Sequence, residues 1–177
     1  FGEVEPNNTL DAAQAFVLGT TINGTAEQED VDFFSFEATA GQRVTIELEG
    51  MRLGETNFDP FIALLDERGF ELASCDDSAL LRQDPIVSAV IPSDGIYVVQ
   101  VRESAYRGNV ACSYRMHVGT YAHPTATMPL GGRPGETLEV ALLGDPAGAR
   151  SMNVTLDAAR DVESSGGWFG RGTIGML

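Results

Sequence analysis

Residues 43–49, RVTIELE, alternate without a break: Val44, Ile46 and Leu48 share one side, and Thr45, Glu47 and Glu49 the other. Successive side chains of a strand point to opposite faces, so this period predicts a β-strand with one buried and one wet face. Upstream, DFFSFEA (32–38) puts Phe34 and Phe36 on one face. Downstream, PFIALLDE (60–67) is apolar throughout and suits a strand covered on both sides. FELAS (70–74), IVSAVIP (86–92), IYVVQVRE (96–103) and CSYRMHVG (112–119) follow, the last with Cys112, Tyr114, Met116 and Val118 inward. TAGQ (39–42), DERG (66–69), PSDG (92–95) and YRG (106–108) stand between them as glycine-bearing turns. Only TLDAAQAF (9–16) reads as helix, capped by Asn8 or Thr9, with Ala12, Ala13 and Phe16 inward. Many short, regularly spaced strands with one short N-terminal helix predict an all-β, jelly-roll-like antiparallel sandwich over residues 1–120.

The texture changes after Gly119. TYAHPTATMPLGGRPGE (120–136) holds three prolines and three glycines, and 121–136 reads as a linker. TLEVALLG (137–144) and SMNVTLDA (151–158) alternate again and are expected to pair as a hairpin across DPAGAR (145–150). Two strands do not stand alone in water, so residues 137–177 are expected to pack on the first domain, on further chain or on a partner. The ends, at Phe1 and at GRGTIGML, read as those of a fragment.

The chain has 177 residues, 43% of them hydrophobic, enough for one core with a smaller second domain. No run of ~18 apolar residues is present, so no transmembrane helix is predicted. The net charge is −15, from 26 acids against 11 arginines and no lysine. Residues 1–120 hold 20 acids and 7 Arg and the rest 6 and 4, so the acidity belongs to the first domain. Such a surface repels nucleic-acid phosphates and anionic lipids and favours cations or basic partners. Catalytic signatures are missing: no GxSxG, HExxH or phosphate-cradling glycine loop occurs, and His117 and His123 lack metal-ligand spacing. The chain is expected not to be an enzyme. Cys75 and Cys112 are expected to pair if the chain is exported; two buried thiols are the alternative.

The oxygen-rich opening, Glu3, Glu5, Asn7 and Asn8, and the pair Asp30 and Asp32 allow two readings. They are solvated turn formers and caps, or they hold a hard cation. Asp59, Asp76 and Asp77 form a second acidic group, read first as turn-shaping and second as another cation site. Tyr106 and Arg107, on a turn, are residue types enriched at binding hot spots, although Tyr106 could simply cover the sandwich end. Trp168 and Phe169, between glycines, are expected to dock on this chain or a partner.

EVEPNNTLDAAQ (3–14), INGTAEQEDVDFFSFEATAGQRVTIEL (22–48), DPFIALLDERGFELASCDDS (59–78) and IPSDGIYVVQVRE (91–103) together resemble the bacterial pre-peptidase C-terminal (PPC) domain, over roughly residues 3–118. The resemblance implies a non-catalytic β-sandwich of exported proteins, often appended to secreted proteases, with calcium bound in some members and collagen in the collagenase versions. It implies Glu3, Glu5, Asn7, Asn8, Asp30 and Asp32 as the calcium ligands. Asn8 stands where some calcium-binding relatives carry an acid, which favours one ion over two. YAHPTATMPLGGRPGETLEVALLGDPAGARSMNVTL (121–156) resembles the start of an Ig-like β-sandwich that often follows this domain, so 137–177 is expected to be an incomplete Ig-like segment. The expected role is an extracellular, cell-surface or periplasmic structural, adhesive or docking module. It would work among other domains or subunits of a larger assembly. The alternative is a domain that targets a secreted hydrolase to polysaccharide or protein fibre.

Overall fold

A computed structural model of the chain describes residues 1–54, 56–78, 81 and 83–157. Trp168 and Phe169 lie outside the described residues. Among the described residues, twelve strands and two 3-10 turns make up the regular structure. One sheet is formed by β1 (Gln14–Ala15), β3 (Val31–Ala38), β8 (Gly95–Glu103), β5 (Pro60–Asp66) and β6 (Glu71–Cys75), in that order. A second is formed by β2 (Thr20–Thr25), β9 (Ser113–Gly119), β4 (Arg43–Glu49) and β7 (Ile86–Val90). Pairing is antiparallel throughout, except that β1 runs parallel to β3.

The two sheets share one core. Ile22, Val44, Ile46, Leu48, Tyr114 and Met116 enter it from the four-stranded sheet, and Phe34, Phe36, Ile62, Leu64, Val99 and Val101 from the five-stranded one. These are the inward positions of the alternating segments, as the period of two requires. The unbroken apolar run of β5 has its own cause. Ala63 and Leu65 face outward with Val98, and Leu10, Ala13, Phe33 and Phe61 pack over them.

The same packing overrides the expected N-terminal helix. Leu10–Ala12 is a single 3-10 turn, and the Thr9 side chain makes no cap. Ala13 leaves helical geometry with ψ 128°, and Gln14 and Ala15 pair with Phe34 and Ser35 as β1. Gln14 Oε1 accepts the Val4 N–H at 2.9 Å and its Nε2 donates to the Gly2 carbonyl at 3.1 Å. A helix would turn Leu10 and Ala13 away from the sheet face that they cover, and propensity yields to that burial.

The expected disulfide is also corrected: Cys75 and Cys112 are free thiols. Both lie against the central core, Cys112 fully buried. They reach it from opposite sheets, Cys75 at the end of β6 and Cys112 just before β9. Packed sheets stand about 10 Å apart, whereas a disulfide needs Cα atoms within about 7 Å.

Beyond the sandwich, β10 (Ala126–Met128), β11 (Thr137–Leu143) and β12 (Arg150–Thr155) form a three-stranded antiparallel sheet. The β11–β12 hairpin forms across DPAGAR as expected, and its register places Val140 opposite Met152. The Pro/Gly stretch 121–136 is more than a connector, since its β10 pairs with β11. Asp145, in the β11–β12 turn, ties this sheet to the sandwich. Its carboxylate accepts Arg43 Nε at 2.7 Å, the His123 N–H at 2.7 Å and the Ala147 N–H at 2.8 Å. Burial pushes the Asp145 carboxyl up, but these two amides and Arg43 outweigh it and hold the group below its usual range.

Asp84, fully buried, organises the second 3-10 turn (Met51–Leu53). It accepts the N–H groups of Gly50, Met51 and Arg52 and the Nε of Arg52. Asp84→Ala would leave these donors without their acceptor and should cost about 3 kcal/mol, read as a lower midpoint in urea unfolding. Asp84→Asn, which retains an acceptor oxygen, should cost less.

Candidate metal centre

The opening segment does not trail into solvent. Phe1 O accepts the Asn23 N–H and Glu3 N–H donates to Asn23 O, both at 2.9 Å, which lays the segment along β2. Four residues later, Asn7 O accepts the Phe33 N–H at 3.0 Å, so the segment crosses to the edge of β3. The crossing carries Glu3, Glu5, Asn7 and Asn8 over Asp30 and Asp32.

All six expected residues meet there. Glu3, Glu5 and Asp32 each place a carboxylate oxygen within 4.8 Å of the others. Asn7 Nδ2 donates to Glu3 Oε1 at 3.2 Å, and the Asn7 N–H donates to Glu5 Oε2 at 2.8 Å. Asn8 Nδ2 donates to Asp30 Oδ1 at 2.6 Å. Asn7 and Asp32 are fully buried, yet Asn7 Oδ1 and Asp32 Oδ1 have no hydrogen-bond partner. Buried acceptors left unmatched are costly, and several together create a demand for a cation.

Two participants escape the sequence reading. Tyr114, inward on β9 as expected, donates its hydroxyl to Asp32 Oδ2 at 2.7 Å and to Glu3 Oε1 at 3.3 Å. The Thr25 N–H donates to Glu3 Oε2 at 2.9 Å. The legible signal for Tyr114 is its type: a buried tyrosine hydroxyl requires a partner. Gly24 completes the packing, because a Cβ there would strike the Tyr114 ring and approach Glu3.

The electrostatics fit the same demand. Burial, reinforced by the neighbouring Glu3 and Asp30 carboxylates, raises the Asp32 carboxyl to about 9, although the Tyr114 hydroxyl opposes this. Glu5 is raised by burial and by Asp30, Glu3 and Glu27, against the lowering effect of the Asn7 amide. Among the described residues, no arginine forms an ion pair with this cluster. Carboxylate and amide oxygens are donor types of a hard divalent cation such as calcium, so Glu3, Glu5, Asn7, Asn8, Asp30 and Asp32 fit one.

The remaining expected sites separate. Asp59 is raised by burial and by Asp76, Asp77 and Glu103, and its Oδ1 is buried without a partner. The backbone N–H of Ser104 donates to Asp59 O and its hydroxyl to Asp76. This group is distinct from the three-carboxylate convergence at Glu3, Glu5 and Asp32. Asp66 caps its own turn by accepting the N–H groups of Arg68 and Phe70. Tyr106 and Arg107 are exposed, and Tyr106 is half of a stack: the Arg102 guanidinium lies 4.7 Å from the Tyr106 ring centroid and 4.0 Å from that of Phe61.

The Asp32 shift sets a pH dependence. The folded protein binds this proton more tightly than the unfolded chain, so without metal its contribution favours folding at low pH. That contribution declines as pH rises from about 4 to about 9. Asp32→Asn removes the titration, so its metal-free stability should fall less steeply than wild type across that window. Urea unfolding at several pH values in chelator checks this; equal slopes would contradict it.

Residues 30–103 match the family described as the bacterial pre-peptidase C-terminal domain. Over 100 residues the chain is 31% identical to a probable subtilase-type serine protease of Deinococcus radiodurans. The match covers 55% of this chain and 14% of that protein, so the chain spans a small part of its relative's length. Among solved structures, the pre-peptidase C-terminal domain of a Bacillus anthracis collagenase aligns with 60% of this chain and 93% of its own, at 17% identity and TM-score 0.45. PliG of Aeromonas hydrophila, a periplasmic inhibitor of g-type lysozyme, aligns with 60% of this chain and 98% of its own, at 12% identity and TM-score 0.39. The family match holds Asp30, Asp32 and strands β3 to β8, while Glu3 to Asn8 stand upstream of it. Over residues 30–103 the β-sandwich of this chain is similar to the bacterial pre-peptidase C-terminal domain.

Proposed function

We propose that this chain supplies a non-catalytic docking module of a larger exported protein, with its entering segment fixed by one calcium ion. The observation that carries the reading is the pair of buried, unmatched oxygens, Asn7 Oδ1 and Asp32 Oδ1, beside the converging carboxylates of Glu3, Glu5 and Asp32. Glu3, Glu5, Asn7, Asn8, Asp30 and Asp32 would hold the ion. Its charge would compensate a cluster that otherwise keeps a proton on Asp32. The module would sit outside the cytoplasm, where calcium is abundant enough for a site of this kind. Its partners would be other domains or subunits of the same assembly, with β10, β11 and β12 beginning an Ig-like domain.

A second reading is favoured by the likeness to a probable subtilase-type protease. Here the module is an accessory of a secreted hydrolase that directs it to a polysaccharide or protein fibre. The half-exposed Tyr106, stacked on Arg102 and Phe61, would be the contact.

An ion bound only by the folded state stabilises it by mass action. Millimolar calcium should therefore raise the melting temperature by roughly 5–15 °C, and chelator should reverse the rise. Asp30→Ala and Glu5→Ala should abolish most of it while leaving the metal-free protein folded. An unchanged melting curve in calcium would sink the proposal.

A further inference from the structure

Among the described residues, only Glu29 and Tyr106 adopt positive φ without being glycine, at 60° and 58°. They meet each other: the Glu29 N–H donates to the Tyr106 carbonyl at 3.2 Å. Next to them, Gln28 and Arg107 form an antiparallel bridge. A Cβ at Gly108 would collide with the carbonyl oxygens of Ala26 and Glu27, so the two loops are in backbone contact. Left-handed backbone is unfavourable for residues of this type and persists only where its surroundings enforce it.

The enforcement differs on the two sides. On the Tyr106 side it is internal: Glu103 Oε2 accepts the N–H groups of Ala105 and Arg107 at 2.8 and 2.7 Å, and the Tyr106 N–H donates to Glu103 O at 3.1 Å. On the Glu29 side it runs through Asp30. Asp30 N–H donates to Glu27 O at 3.4 Å, the Glu27 N–H donates back to Asp30 Oδ2 at 3.3 Å, and Asn8 Nδ2 holds Asp30 Oδ1. Two of these three are long bonds. The loop that carries a candidate ligand is thus weakly held by its own contacts and is joined directly to the turn that presents Tyr106.

We infer that the cation site and the Tyr106 turn form one cooperative unit, in which an ion held by Asp30 fixes the Glu29–Tyr106 pair and with it the Phe61–Arg102–Tyr106 stack. This rests on the calcium reading above. The coupling is reciprocal, because whatever steadies the turn must also favour the ion. The ion then controls a surface made of residues that never touch it.

The test uses the whole chain, calcium alone as the probe, and amide exchange followed by NMR. Calcium should slow exchange of the Glu29, Ala105 and Arg107 amides about tenfold or more. The Arg68 and Phe70 amides, capped by Asp66 in the same chemical manner, should change little and serve as the reference. Reciprocally, Glu103→Ala and Gly108→Ala remove no candidate ligand yet should weaken calcium binding by about fivefold, whereas Asp66→Ala should not. If Gly108→Ala fails to fold, Glu103→Ala carries the comparison. The inference is overturned if calcium raises the melting temperature while the three amides exchange as before, or if Glu103→Ala binds calcium like wild type. Absence of any calcium-dependent rise in melting temperature removes the calcium reading itself, and this inference with it.

Discussion

The hydroxyl of Tyr114 joins the two sheets. Its ring rises from β9 in the four-stranded sheet, and its oxygen donates to Asp32 on β3 of the five-stranded sheet and to Glu3 of the entering segment. A fully buried donor between two carboxylates is an unusual choice for the interior of a sandwich, where a Phe would pack without any polar requirement. It makes sense as a way of holding acids at a fixed place inside a low-dielectric wall. Gly24 leaves room for the ring, and the Thr25 amide fixes the other oxygen of Glu3. The acids are thus positioned by strands rather than by a loose loop, at the cost of a raised Asp32.

The entering segment serves the core as well as this cluster. Asn7 O takes the Phe33 N–H, three residues before Leu10 and six before Ala13 pack over Ala63, Leu65 and Val98. Loosening residues 3–8 would therefore unanchor the cover of the outer face of β5 and β8. Whatever neutralises the acids also secures apolar burial, which links a local electrostatic event to the stability of the whole sandwich.

The strands were legible because a period of two is a property of single residues in order. Val44–Ile46–Leu48, Phe34–Phe36 and Tyr114–Met116–Val118 face inward as their spacing demands. The six acidic and amide residues were legible by composition and by family resemblance, since segments 22 or more residues apart meet only once the fold is known. Tyr114 was read as core, because alternation reports which way a ring points and says nothing of what its hydroxyl will find. The helix at 9–16 was misread for the opposite reason. Alanine-rich composition favours helix locally, but Leu10 and Ala13 pack on Ala63, Leu65 and Val98, which lie 50 or more residues away in sequence. The cysteines show the same limit: both face the core, and only the sheet assignment reveals that the core separates them.

The two ends of the sandwich use charge in contrasting ways. At the exit, Asp145 is almost fully buried, but Arg43 and two amides satisfy it, and Arg43 adds a bond from Nη1 to Thr120 O at 3.1 Å. Tyr121 continues the join, its carbonyl accepting the Thr45 hydroxyl and its own hydroxyl donating to His117 O. This junction is complete within the chain and carries its own counter-charge. At the entrance the acids differ in burial, with Asp32 buried, Glu3 half-buried and Glu5 exposed, and among the described residues no arginine pairs with them. The sandwich pairs its buried carboxylates Asp84 and Asp145 with Arg52 and Arg43, whereas the buried Asp32 faces the carboxylates of Glu3 and Glu5. On the proposed calcium reading, that asymmetry arises because the entrance would take its positive charge from solution. The exit junction would then be permanent, and the entrance conditional on the ion.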